Sequence, residues 1–117
     1  MAGEYTLRPT GELDFEQAQR LRPQWLAALA EHEPDTLVVD LAEVTFLDSG
    51  GLGLLVATHN HLKEHDGALV LANPSARIRK VLALTGLDHV FPIRAARPKA
   101  RPGTAARETT PGPPAAA

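Results

Sequence analysis

Asp48-Ser49-Gly50-Gly51 is the stretch of the sequence whose residue types are best suited to chemistry. It follows an apolar run and precedes an amphipathic segment, which predicts a turn from a buried strand into a helix. Ser49 is expected to be the N-cap, and the glycines let the chain turn sharply and let an anion approach the positive helix end. Capping and turning alone explain the same residue types, and on local chemistry this plain interpretation is the stronger one.

Motifs that would make this turn an active site are missing from the sequence. A serine hydrolase requires glycine two residues before the serine, where this chain has Leu47. A Walker loop requires a lysine, which does not follow Gly50-Gly51-Leu52-Gly53, and the dinucleotide fingerprint fails on spacing. An aspartyl-phosphate enzyme using Asp48 or Asp40 would want a second acidic cluster and a supporting lysine. We therefore predict a non-enzymatic protein with no catalytic residues and no cofactor.

Three histidines, His59, His61 and His65, resemble a metal site at first sight. His61 and His65 are four residues apart and share one helix face, a spacing that can bind zinc. A third ligand at a defined spacing is missing, and the segment is polar enough to be the solvated end of its helix. We therefore expect no metal site.

Hydrophobic periodicity predicts alternating strands and helices, which indicates an α/β fold with a mostly parallel centre. Asp14 is the expected N-cap of the first helix, whose apolar face includes Phe15 and Leu26, with Trp25 in a packing role. Gly67 and Gly86 are the expected C-caps of the second and third helices. Strands are predicted near residues 5–9, 37–40, 68–72 and 90–93, and helices near 14–33, 49–67 and 73–86.

Charge is distributed unevenly along the chain. Residues 1–93 contain seven Lys and Arg against thirteen Asp and Glu, a net charge of −6, and residues 94–117 contain five against one, a net charge of +4. The acidic part is a poor candidate for direct binding of nucleic acid. Residues 94–117 are rich in proline and alanine and lack apolar periodicity, so we predict a disordered basic tail.

Cysteine, a membrane span and a secretory pattern are all absent, which favours a cytoplasmic protein without membrane contact.

Four segments, in order and at ordinary spacing, resemble a STAS domain of the bacterial anti-sigma factor antagonists, also called anti-anti-sigma factors. The segments are Gly11-Glu12-Leu13-Asp14, residues 37–40, Phe46-Leu47-Asp48-Ser49-Gly50-Gly51-Leu52-Gly53 and Leu84-Thr85-Gly86-Leu87. The resemblance implies that residues 1–93 form a STAS-like mixed β-sheet with helices mainly on one side. Only about one strand's worth of residues precedes Gly11, so the first family strand is expected to be missing or to be completed by a partner.

The resemblance also implies a role in partner switching. Such a protein binds an anti-sigma factor, commonly an ATP-dependent serine kinase, and thereby frees a sigma factor to regulate transcription. Carried over by position, the partner-binding residues are Asp14, Asp48, Ser49, Gly50, Gly51, Leu52 and Gly53.

One departure from the family motif concerns phosphorylation. The family's acceptor is the third residue of Asp-Ser-Ser/Thr-Gly, and that place is Gly50, which has no hydroxyl. Ser49 matches the preceding serine, and as an N-cap it would turn its hydroxyl toward the helix backbone. We therefore predict partner binding without the usual phosphorylation switch, with Ser49 as the alternative acceptor. A Gly50→Ser change is expected to create a phosphorylatable site.

A second interpretation of the resemblance is a STAS domain that senses a ligand or serves as an assembly subunit. The assembly would be a stress complex or a lipid-transport system, and the glycine-rich turn would hold a nucleotide or another anion. Co-purification with a kinase-like anti-sigma factor would favour the first interpretation, and a multi-subunit complex the second.

Overall fold

The computed structural model describes residues 3–94, in which a pair of strands precedes each of the first two helices and a single strand precedes the third. The elements in chain order are β1 (Glu4–Leu7), β2 (Gly11–Leu13), α1 (Phe15–His32), β3 (Thr36–Asp40), β4 (Val44–Leu47), α2 (Ser49–Lys63), β5 (Ala68–Ala72), α3 (Ala76–Thr85), a 3₁₀ helix (Leu87–His89) and β6 (Ile93–Arg94). Within these residues, every helix falls short of the length and hydropathy that a membrane span requires.

The strands form two parallel ladders. Four of them make the main sheet in the order β1-β3-β5-β6, and β2 pairs with β4. A helix separates each pair of neighbours in the main sheet along the chain, which returns the backbone to the same sheet end and makes the pairing parallel. The resemblance implied a mixed sheet, whereas all strand pairings between residues 3 and 94 are parallel.

One face of the main sheet forms the hydrophobic core. Leu37 and Val39 of β3 and Leu69 and Leu71 of β5 alternate along their strands and are almost completely buried. They share one cluster with helix residues from all three helices, which therefore cover the same face of the sheet. The helix residues in this cluster include Ala18, Trp25, Leu29, Leu54, Leu55, Leu62, Ile78 and Leu82. The α/β class, the one-sided helices and the packing role of Trp25 are thus confirmed.

The predicted alternation of single strands and helices is wrong in two places. No strand was predicted at Gly11 to Leu13 or between residues 40 and 48, where the structure has β2 and β4. These strands have three and four residues, too few for an alternating pattern to be visible. They are stabilised by pairing with each other, a tertiary contact between segments distant in the sequence.

Helix faces and ends differ from the predictions in detail. Trp25 takes the buried position on α1, which leaves the adjacent Leu26 39% exposed. Phe15, at the start of the helix, is 62% exposed. The expected C-cap at Gly67 is wrong, because α2 ends at Lys63 and Asp66 takes the left-handed conformation. Asp is among the residues that tolerate this conformation, so the turn does not require glycine. Gly86 is the C-cap of α3, as predicted.

Arg94, which the sequence assigned to the tail, is the second residue of β6, and the rest of the predicted tail lies outside the described residues. Its guanidinium donates hydrogen bonds to Glu4 at 3.0 and 3.3 Å, linking the two outer strands of the main sheet. These bonds and the opposite charge lower the pKa of Glu4 and raise the pKa of Arg94. Both side chains are about half exposed, so the ion pair contributes little stability.

Candidate partner-binding site

Two strand–Asp–helix units lie side by side and form the candidate site. β2 leads through Asp14 into α1, and β4 leads through Asp48 into α2. Leu13 and Leu47, the last residues of these strands, are partners in the parallel ladder. The two aspartates therefore lie at the same edge of the ladder, each at the start of its helix, and the structure brings them together.

Both aspartates cap their helices. An Asp14 oxygen accepts from the backbone N–H of Gln17 at 2.9 Å, which confirms the predicted cap of α1. An Asp48 oxygen accepts from the N–H groups of Gly50 and Gly51 at 2.8 and 3.1 Å. The predicted N-cap at Ser49 is therefore wrong. Aspartate and serine cap about equally well, and here the extended backbone of Asp48 decides between them.

Ser49 is the first residue of α2 and its side chain is exposed. Since Asp48 satisfies the first free N–H groups of the helix, the Ser49 hydroxyl has no capping role. The prediction that capping turns the Ser49 hydroxyl toward the helix backbone is therefore wrong. Ser49 instead presents its hydroxyl on the surface of the candidate site.

Gly50 and Gly51 are positions where neighbouring elements come too close for a side chain. A Cβ added at Gly51 would lie 2.7 Å from Cδ1 of Leu47 and closer still to the carbonyl oxygen of Leu13. A Cβ at Gly50 would lie 2.8 Å from the backbone nitrogen of Phe15 and closer still to its Cα. Gly51 is buried, so it positions α2 against β2 and cannot itself contact a partner. Gly50 lets the start of α1 approach α2.

An open cleft of about 520 Å³ runs from this turn along α1 and α2. Gly53 is exposed, and a Cβ built there would meet nothing within 4 Å. Leu52 lies half-buried beside it. The cleft is lined by Phe15, Ala18, Gln19, Arg22, Pro23, Leu26, Gly50, Gly53 and Leu54.

Phe15, Arg22 and Leu26 also line this cleft, and none of them was predicted to be a surface residue of the site. Phe15 and Leu26 were predicted on the buried face of α1, but the helix buries Trp25 together with Ala18 and Leu29. Trp25 and Leu26 are adjacent, and adjacent residues do not share one helix face. That conflict was the signal that one of the two apolar side chains had to be exposed.

Comparison with known proteins identifies the family of this chain. The STAS domain family model matches residues 2–100, so the chain belongs to the STAS domain family. An anti-sigma-B factor antagonist of Bacillus subtilis (strain 168) is 39% identical over 85 residues, which are 73% of this chain and 76% of that protein.

Solved structures agree as well. The anti-sigma factor antagonist SpoIIAA in its unphosphorylated form superposes with a TM-score of 0.71 at 27% identity, covering 83% of both chains. The Bacillus cell fate determinant SpoIIAA in its phosphorylated form gives 0.64 at 27% identity, covering 83% of this chain and 86% of that one. The expected STAS architecture is thereby confirmed, and relatives named as anti-sigma factor antagonists support that role for this chain.

Proposed function

We propose that this protein is an anti-sigma factor antagonist that binds an anti-sigma factor of the serine-kinase type and regulates transcription by partner switching. The observation that carries the proposal is the pairing of two Asp-capped helix starts beside an open cleft. These helix starts lie at the positions that match the STAS binding motif, Asp14 and the turn from Asp48 to Gly53. The anti-sigma factor antagonists among the relatives supply the class of partner.

The proposed contact surface combines exposed apolar side chains with small residues. Phe15 and Leu26 are exposed along one wall of the cleft. Covering exposed apolar groups with a partner is favourable, because it removes apolar surface from water. Ser49 and Gly53 on the other helix are small, which allows a close approach of the partner. Asp14 and Asp48 hold the two helix starts in place and lie half-buried at the end of the same surface.

An arginine substitution on this surface is expected to weaken partner binding without weakening the fold. Ser49 and Gly53 are exposed, so Ser49→Arg and Gly53→Arg place a bulky side chain in the interface. We expect each to reduce affinity by about tenfold or more, since forcing extra volume into a packed contact costs 1–3 kcal/mol. The anti-sigma factor is first captured from the native cell with the full chain, then purified and titrated calorimetrically with each variant.

Ala83→Arg is the matched control, because Ala83 is exposed on α3. It should bind as tightly as the parent protein. Alanine variants of Asp14 and Asp48 are less decisive, because losing a cap costs about 1 kcal/mol of stability by itself. Normal affinity in both Ser49→Arg and Gly53→Arg would contradict the proposed surface. Capture of a multi-subunit complex lacking a kinase-like protein would favour the ligand-sensing or assembly interpretation.

We further propose that binding is controlled without phosphorylation at the family position. Gly50 occupies that position, has no hydroxyl and has no room for a side chain. Incubation of the protein with its cognate kinase and ATP is therefore expected to leave its intact mass unchanged. Ser49 is the control position, because its hydroxyl is exposed. A stoichiometric phosphate that disappears in Ser49→Ala would contradict the proposal and identify Ser49 as the acceptor.

A further inference from the structure

The carboxyl-terminal end of α2 brings together three side chains that ligate metals. His61, Glu64 and His65 offer ligand atoms that all lie within 4.8 Å of one another. The two imidazole rings have centroids 4.7 Å apart. The sequence predicts no metal site here because a third ligand at a defined spacing is missing, and in the structure Glu64 lies close enough to be that ligand.

The hydrogen bonding of His65 suits a ligand. Its Nδ1 lies 2.9 Å from the backbone carbonyl oxygen of His61, which can only accept, so this hydrogen bond forms in the tautomer that has its proton on Nδ1. In a neutral imidazole, a protonated Nδ1 leaves a lone pair on Nε2. Metal-binding histidines commonly donate their second ring N–H to a carbonyl or carboxylate, which fixes the ring orientation and the tautomer.

The surroundings favour a cation. His61 and His65 line a cleft of about 540 Å³ together with Glu33 and Asp35, which belong to the segment that follows α1. Glu33 and Asp35 therefore bring two acidic residues to the cleft that the two histidines line. Residues 1–93 also carry an excess of negative charge, with thirteen acidic against seven basic residues.

The remaining histidine of this segment is arranged differently. The His59 ring packs edge-on against Phe91, with centroids 5.2 Å apart, on another side of α2. It lies two residues from His61, and residues at that spacing do not face each other on a helix. His59 therefore packs between α2 and the residues just before β6, and it is not part of the ligand cluster.

We propose that His61, Glu64 and His65 form a binding site for a divalent transition-metal ion, with Zn²⁺ as the best match. Imidazole nitrogens and one carboxylate are the ligands that zinc takes, and three protein ligands leave a fourth position for water. The site lies at the opposite end of α2 from Asp48. It is independent of the proposed partner-binding role.

Titration with metal tests this proposal directly. Tag-free full-length protein, freed of metal with a chelator, is titrated with Co²⁺ while visible absorption is recorded, and then with Zn²⁺ by calorimetry. We expect one equivalent of Co²⁺ to give a saturating spectrum that Zn²⁺ displaces. His65→Gln, at an exposed position, is expected to lose saturable binding, and Glu64→Gln is expected to weaken it. His61→Gln should behave like His65→Gln.

His89→Gln is the matched control, because His89 is exposed on the 3₁₀ helix, outside the cluster. It should bind both metals as the parent does. Circular dichroism of each variant establishes that the fold is retained, and the exposed His65 and Glu64 keep the test valid if His61→Gln is unstable. The proposal is overturned if the parent shows no saturable binding, if His65→Gln binds like the parent, or if His89→Gln loses binding equally.

Discussion

Gly51→Ala is expected to destabilise the domain by about 3 kcal/mol, near the upper end of what overpacking costs. The added methyl group would overlap the carbonyl oxygen of Leu13 and lie 2.7 Å from Cδ1 of Leu47. Neither neighbour can yield easily, because both belong to the β2–β4 ladder that supports the two helix starts. The melting temperature should fall by roughly 10–20 °C, which calorimetry or thermal circular dichroism will measure.

Gly53→Ala is the matched control two residues further along the same helix. A Cβ at Gly53 meets nothing within 4 Å, so only helix propensity changes. Alanine is favoured over glycine inside a helix by about 1 kcal/mol, and this variant should be more stable than the parent. Equal stability of Gly51→Ala and Gly53→Ala would show that β2 and α2 are not in close contact at Gly51.

Gly50→Ser is expected to destabilise the protein by about 2 kcal/mol and to weaken partner binding both with and without ATP. The sequence alone suggested that this change would restore a phosphoacceptor. In the structure, the new Cβ collides with the backbone of Phe15 at the start of α1. That helix start must move before a serine fits, and it forms part of the proposed contact surface. Chemical denaturation measures the first effect, and titration with the purified anti-sigma factor measures the second.

Gly53→Ser introduces the same side chain at an open position and serves as the control for Gly50→Ser. It should leave stability close to that of the parent, and it controls for the stability effect alone because Gly53 lies on the proposed contact surface. Parent-like stability in Gly50→Ser, together with a kinase- and ATP-dependent phosphate, would favour the sequence-based expectation. In that case α1 adjusts its position more easily than the packing at Phe15 implies.

Features that depend on local chemistry were predictable from the sequence. The apolar run of β3 and the caps at Asp14 and Gly86 follow from residue type and periodicity, and all three are found in the structure. The choice between Asp48 and Ser49 as N-cap was not predictable, because adjacent residues of equal capping ability compete. Backbone geometry settled it in favour of Asp48.

The detailed shape of the candidate site depends on tertiary contacts that periodicity does not report. The lack of space at Gly50 arises from the approach of Phe15, which is distant in the sequence. The exposure of Leu26 arises because Trp25 fills the core position beside it. Even the pairing of Asp14 with Asp48 required β2 and β4, strands too short to be recognised singly. The caps and strands that position these residues were therefore more predictable than the space around them.

The parallel ladders also have a consequence for how the chain reaches its native state. Thr36 pairs with Glu4, which precedes it by 32 residues, and Ala68 pairs with Thr36, again 32 residues away. Neither pairing can start from a local hairpin, so the entropy of closing a long loop is lost before the strands gain hydrogen bonds. Until those loops close, the edges of the strands are open to other chains. Refolding at high dilution is the condition that this topology favours.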